Sequence, residues 1–424
     1  MTAATPPGVP TRAAALRLLE AVLRRGLPLE SALDAAARGL ERADDRAHAH
    51  AIAAEVLRRL PDLDALIDSA TAKPLAHDAK ARMVLRIALA QALALNTPPH
   101  AAIATALPLV DGGPRRLVHG VFGALMRRGV HLPVPPQLLP AVAERWDAAW
   151  GPAMVAAAAE ASAVQPPLDV SLKNPAETQS WAEQLGGVSL APGHVRLPAG
   201  GRVPALPGYD EGAWWVQDLS ASLPARLIGA GEGRTVLDLC AAPGGKTMQL
   251  AAAGWQATAV DLSEARLARL SENLARTGLE AKLVVGDALT FSASTPADAV
   301  LLDAPCSATG IFRRHPDVLH RARPRAIAGM AERQAAMLAR AASWVKPGGT
   351  LVYAVCSLEP EEGEAVAQGF AASHRGFVPD PVRDDELPAG FAPDAEGRVR
   401  VLPGTLAAEG GADGFFVARF RRAD

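Results

Sequence analysis

The feature that most constrains this chain is a change of hydrophobic period part-way along it. From residue 11 to 128, apolar residues recur at three- and four-residue spacing, as in Leu16, Leu19, Val22 and Leu23 or Ile52, Val56, Leu57 and Leu60. No strand-like alternation interrupts them, so this region is expected to be an all-α domain. Past Gly233 short apolar runs at 235–239, 257–260, 282–285, 299–302 and 350–355 alternate with helical stretches. That alternation predicts a doubly wound, mainly parallel sheet. Between the two regions, 131–140 carries four prolines and favours an extended connection, and 141–220 mixes a helix with short β-like runs. The expected organisation is a helical domain over 1–130, a Pro-rich linker and small α+β connector over 131–220, and an α/β domain over 221–424. At roughly 150 residues per domain, 424 residues suit such a division.

Charge sharpens the picture. The whole chain is nearly neutral at −2, yet residues 1–130 hold 17 basic against 12 acidic side chains. A second basic stretch, 311–346, carries eight basic residues against Asp317 and Glu332. A charge run alone is usually a solvated helix face. The opening is uncharged and Pro-rich, and the uncharged run 87–110 is broken by Asn96-Thr97-Pro98-Pro99-His100. Neither a secretion signal nor a membrane span is expected, and three unpaired cysteines suit a reducing cytoplasm.

In a doubly wound sheet, ligands bind beyond the carboxyl ends of the strands. The first strand leads into Asp238-Leu239-Cys240-Ala241-Ala242-Pro243-Gly244-Gly245-Lys246-Thr247, with glycines that allow close backbone approach before a helix. The next strands end in Asp261, placed to accept hydrogen bonds from ribose hydroxyls, and in Gly286-Asp287. Later ones end in Asp303-Ala304-Pro305-Cys306 and Tyr353-Ala354-Val355-Cys356-Ser357. Gly245-Lys246-Thr247 imitates the end of a phosphate-binding loop, but Cys240 stands where that motif needs glycine. Successive acidic residues better suit a nucleoside with free ribose hydroxyls and a cationic centre. The scattered cysteines lack the close pairs of a zinc site, so no metal is expected, and Cys306 or Cys356 is a candidate nucleophile.

DLCAAPGGKT, DAPCSATGIFRRHPD and YAVCSLEPEEGE resemble the signatures of the S-adenosylmethionine-dependent RNA cytosine-C5 methyltransferases. Ala43-Asp44-Asp45-Arg46, Val56-Leu57-Arg58-Arg59 and Pro98-Pro99-His100-Ala101-Ala102 resemble the NusB-type RNA-binding domain. The combination is similar to the RsmB (Sun/Fmu) type of 16S rRNA methyltransferase in the RsmB/NOP family. The chain departs from that pattern at Val355, where threonine is usual, at Ala308, where glycine is usual, and around Val170-Ser171-Leu172-Lys173.

The resemblance implies a NusB-like helical domain and a Rossmann-like methyltransferase domain that uses S-adenosylmethionine. It implies attack by Cys356 on C6 of a cytosine, adduct collapse assisted by Cys306, and a proton or strong hydrogen bond at N3 from Asp303. Cofactor contacts would come from Cys240, Ala241, Ala242, Pro243, Gly244, Gly245 and Lys246 around the methionine moiety. Asp261 would meet the ribose, Asp287 the adenine amino group, and Asp303 would border the cofactor. Arg313, Arg314 and His315 would meet phosphates flanking a flipped base. The implied partner is 16S rRNA, at a position-967 type site, before or during small-subunit assembly. The enzyme is expected to be a cytoplasmic monomer. Another rRNA or tRNA site, a nucleotide hydrolase and a non-catalytic RNA-binding factor are the alternatives.

Overall fold

A computed structural model of the chain describes residues 6–424, so the 2–5 part of the Pro-rich opening lies outside the described residues. Two compact units emerge. One runs to Val164 and takes in Phe312–Arg323, and the other comprises Gln165–Ile311 and Pro324–Asp424.

The first unit is helical, as its spacing predicts: α1 (Val9–Leu23), α2 (Leu29–Ala36), α3 (Ala43–Arg58), α4 (Leu60–Ser69), α5 (Lys80–Leu93), α6 (Pro99–Ala106), α7 (Gly112–Arg127), α8 (Pro140–Trp150) and α9 (Pro152–Ala163). Leu18, Leu19, Ile52, Leu63, Ile67 and Leu85 are fully buried in one core. The break at Asn96–His100 separates α5 from α6. Pro99 takes the first helical position and Pro98 is the cap residue, with no side-chain cap bond. Among the described residues, no helix is long and apolar enough to cross a membrane. Part of the basic excess lies inside: Arg82 and Arg86 of α5 are buried, with Arg86 gripping both oxygens of Asp64 at 2.8 Å. Burial pushes Asp64 upward, but its bonds to Arg86 and Arg82 outweigh that and hold the carboxyl below its ordinary value.

The second unit begins with β1 (Leu168–Leu172), α10 (Thr178–Leu185), β2 (His194–Leu197), β3 (Trp214–Val216) and α11 (Leu219–Arg226). There follow β4 (Thr235–Leu239), α12 (Gly245–Ala252), β5 (Gln256–Asp261), α13 (Glu264–Thr277), β6 (Lys282–Val285) and β7 (Ala297–Asp303). After α14 (Asp317–Arg321), which belongs to the helical unit, come α15 (Pro324–Ala342), β8 (Val345–Val355), α16 (Glu364–Ser373), β9 (Phe377–Pro379), β10 (Val399–Val401) and β11 (Phe415–Arg422). Strands β2-β1-β3 form a small antiparallel sheet. The large sheet has the order β10-β11-β8-β7-β4-β5-β6, with β9 also pairing β11. Its β4 to β8 strands are parallel, and β11 runs antiparallel beside β8. The region read as one connector over 131–220 is thus shared between units: α8 and α9 go with the helices, and β1–β3 go with the sheet domain.

The segment Phe312–Arg323 corrects one expectation. Phe312 packs on Trp146 at 5.5 Å, Arg58 donates to the Arg313 carbonyl at 3.1 Å, and Asp317 accepts from the Leu29 amide at 3.2 Å. Arg313 is only 4% exposed, so its side chain is not open to a phosphate. The rest of the basic stretch disperses, with Lys346 on Asp298 and Arg340 on the Phe291 carbonyl.

In the small sheet, Asp169 of β1 lies opposite Arg196 of β2, and both are buried. The guanidinium meets both carboxylate oxygens at 2.7 Å, and the Leu219 amide adds a third bond at 3.1 Å. Removing one member of a buried pair strands the other charge. Asp169→Ala is expected to cost about 3–5 kcal/mol in urea unfolding of the full chain. Asp385→Ala, which breaks the exposed pair with Arg383, is expected to cost under about 1 kcal/mol.

Candidate active site

Strand β4 lies between β5 and β7, and the chain winds outward from it in both directions, so the ends of β4 and β7 flank the topological switch point. Three loops leave there side by side: 240–244 after β4, 304–311 after β7, and 356–363 after β8. The first turns sharply, with Cys240 at φ 61° and Gly244 at φ 108°. A Cβ at Gly244 would fall 2.0 Å from Leu270 of α13, so only glycine lets this loop pack there. Helix α12 then starts at Gly245, aiming its first amides at the crevice.

Carboxylates surround the loop. Lys246 Nζ donates to Asp303 Oδ2 at 2.8 Å, Thr247 donates to Asp238 at 2.6 Å, and Asp261 accepts from the amides of Ala242 and Ser263 at 3.1 and 2.9 Å. Burial lowers the Lys246 ammonium, but Asp303, Cys356 and Asp238 outweigh it and raise it above its ordinary value. Asp238 is wholly buried, with Oδ1 unpartnered, and burial together with the Asp303 and Asp261 charges pushes it up to about 7. Burial and the same acids push the Cys240 thiol up to about 12, so it is a neutral lining group. Asp287 lies apart, beyond β6: its carboxylate caps the Leu289 amide at 3.0 Å and sits 3.7 Å from Arg333.

This donor set suits S-adenosylmethionine. Asp238 Oδ1 is a buried acceptor without a donor, Asp261 retains lone pairs for hydroxyls, and the local charge is negative, as a sulfonium and an ammonium require. A polyphosphate fits poorly, because the Lys246 and Thr247 groups that would meet it are held by protein carboxylates.

Beside the carboxylates, Cys306 Sγ and Cys356 Sγ lie 3.5 Å apart. The bond to Cys356, burial and the charge of Glu362 push the Cys306 thiol well above its ordinary value. The residues behind the thiols were not singled out in the sequence. Buried Glu362 accepts from Ser307, Ser357 and Gln334, and the Gly310 amide donates to the Cys356 carbonyl at 3.0 Å. In the sequence Glu362 is one acid in Glu359-Pro360-Glu361-Glu362-Gly363-Glu364, which reads as a solvated helix start.

Residues 225–421 match the 16S rRNA methyltransferase RsmB/F family and residues 9–125 the NusB family. The ribosomal RNA small subunit methyltransferase B of Klebsiella pneumoniae is 34% identical over 96% of this chain and 97% of its own. That of Xylella fastidiosa (strain Temecula1) is 35% identical over 97% and 98%. The chain belongs to the RsmB/F methyltransferase family. A methyltransferase homolog protein from Pyrococcus horikoshii, 25% identical, matches the fold with a TM-score of 0.56 over 71% of this chain and 98% of that one. The chain is therefore an S-adenosylmethionine-dependent rRNA methyltransferase, and the order β6-β5-β4-β7-β8 is the parallel core of its catalytic domain.

Its two departures from the RsmB pattern near the thiols have different consequences. Val355 is fully buried at the end of β8, where a hydrocarbon side chain joins the core. Ala308 sits at φ 58°, a region that costs an L-residue about 1–2 kcal/mol. Ala308→Gly is expected to recover about 1 kcal/mol in denaturant unfolding with methyl transfer retained. Asp238 also gives a pH signature. Its folded form holds a proton more tightly than the unfolded chain does, so its contribution to stability declines as pH rises from about 4 to about 7. In the ligand-free protein, Asp238→Asn is expected to flatten that decline, measured as unfolding midpoints at pH 5 and 8.

Proposed function

We propose that this methyltransferase forms 5-methylcytosine in 16S rRNA, at the position-967 type site, through a covalent bond between Cys356 and C6 of the target base. The observation that carries the reading is the pair of thiols 3.5 Å apart beside the Lys246–Asp303 ion pair. Cytosine C5 is a weak nucleophile until a group adds at C6. Cys356 supplies that group: its sulfur bonds C6, its thiol proton passes to the Asp303 carboxylate, and the C5–C6 electron pair becomes available at C5. Asp303 faces the pyrimidine edge with Oδ1, since Oδ2 is taken by Lys246, and contributes a proton or strong hydrogen bond at N3. S-adenosylmethionine would be held by 240–246, with Asp261 at its ribose and Asp287 toward its adenine, and would supply an electrophilic methyl group.

Once C5 carries the methyl group, its proton passes to solvent, the C–H electron pair restores the C5–C6 double bond, and the Cys356–C6 bond breaks with its electron pair returning to sulfur. Cys306 is suited to assist, because its sulfur lies 3.5 Å from the departing one and its thiol proton can pass to it. The target base enters single-stranded or flipped, and the NusB-type helices supply further RNA contact. An rRNA substrate supports action in the bacterial cytoplasm, and on this reading the enzyme works as a monomer before or during small-subunit assembly.

Transfer of labelled methyl from S-adenosylmethionine to unmodified 16S rRNA tests the reading. Cys356→Ala is expected to abolish transfer, while Cys306→Ala accumulates an RNA–protein adduct that survives a denaturing gel. The reverse pattern would assign attack to Cys306. Bisulfite sequencing of rRNA from a deletion strain is expected to lose protection at the position-967 type cytosine only; loss elsewhere would move the target.

A further inference from the structure

Glu362 has no part in the chemistry just described, yet its side chain lies at 0% exposure within the catalytic domain. Burying a carboxylate is costly unless its lone pairs are met. Here they are met by the residues that follow the two thiols. The Ser307 amide donates to Oε1 at 2.8 Å, and the Ser307 hydroxyl donates to Oε2. The Ser357 hydroxyl donates to Oε2 at 2.5 Å. Gln334 of α15 donates to Oε1 at 3.1 Å while also holding the Pro305 carbonyl at 2.9 Å. One side chain thus grips the positions next to Cys306 and Cys356 at once.

We propose that Glu362 is a positioning residue that fixes the two thiols against each other and keeps the exchangeable proton on Cys306. The inference rests on the cysteine roles proposed above. The strand pairing extends into the loops through the Ala304 amide on the Ala354 carbonyl and the Gly310 amide on the Cys356 carbonyl, and the Ser307 and Ser357 hydroxyls lie 3.1 Å apart; to these Glu362 adds a single carboxylate that holds the residues after both thiols. The rest of its surroundings hold it in place. Tyr353 donates to the Glu362 carbonyl, and Arg400, paired with Glu364 at 2.6 Å, reaches the Ser357 carbonyl. The negative charge also has a direct electrostatic role. It disfavours a thiolate at Cys306, in agreement with the raised value there, and so leaves a donor facing the Cys356 sulfur when the adduct collapses.

Glu362→Gln keeps the shape and removes the charge. It is expected to lower kcat for methyl transfer about 100-fold, the loss typical of a reacting group displaced by about 1 Å. KM for RNA and affinity for S-adenosylmethionine are expected to stay within about two-fold. Without the neighbouring charge Cys306 ionises at lower pH, so the alkaline limb of the kcat profile is expected to move toward acid. A merely structural role would lower the rate at every pH and leave the limb in place. The double variant Ser307→Ala/Ser357→Ala retains the charge, and is expected to lower kcat at least about 10-fold with the limb unmoved. It keeps the inference testable should Glu362→Gln fail to fold. An unchanged kcat in either variant, or an unmoved limb in Glu362→Gln, would overturn the inference. Cys306→Ala assayed in parallel separates the two levels: no adduct there refutes the cysteine roles, whereas an adduct there with an indifferent Glu362 refutes only the positioning.

Discussion

The parallel pairing of β7 with β8 is the constraint on which the catalytic arrangement depends. Their register sets Leu302 opposite Tyr353 and Asp303 opposite Ala354, and the Ala304 amide extends the ladder to the Ala354 carbonyl at 2.9 Å. With the strands locked, two loops emerge at the same height, so Cys306, three residues past Asp303, meets Cys356, two residues past Ala354. A one-residue slip would invert every side chain along the strand and separate the thiols. The register is protected because both strands lie inside the sheet: Leu302, Tyr353 and Val355 are fully buried, and β11 covers the outer edge of β8.

From that pairing the remaining chemistry follows by adjacency. Strand β4 is the other neighbour of β7, which brings Lys246 within 2.8 Å of Asp303 and sets the cofactor loop beside the thiols. The same closeness explains why charge is distributed as it is. A cationic methyl donor needs acids nearby, but an unshielded thiolate beside several acids is unfavourable. Lys246 stands between these demands, with Asp303 on one side and Cys356 among the groups that hold its charge.

Much of this was legible in the residues. Strands β4 and β6 lie where their apolar runs begin and end, and β1 to β3 fall in the 141–220 region of short β-like runs. The acids and cysteines at strand ends were readable because a doubly wound sheet gathers those ends at one edge. Other parts depended on tertiary placement. Phe415–Arg422 lacks clean alternation because it is buried on both faces between β8 and two short edge strands. Arg313 reads as a phosphate contact in a basic run, yet its segment folds into the helical unit through contacts with Trp146, Arg58 and Leu29. Glu362 is indistinguishable from neighbouring acids until Ser307, Ser357 and Gln334, remote in sequence, converge on it.

The central claim is a division of labour between two thiols that the fold holds in contact. It is tested most directly by trapping the enzyme on target RNA carrying 5-fluorocytidine, in which C5 cannot lose a proton and the adduct cannot collapse. Mass spectrometry of the cross-linked peptide is expected to place the nucleotide on Cys356 in the wild-type protein. A cross-link on Cys306 would contradict the account.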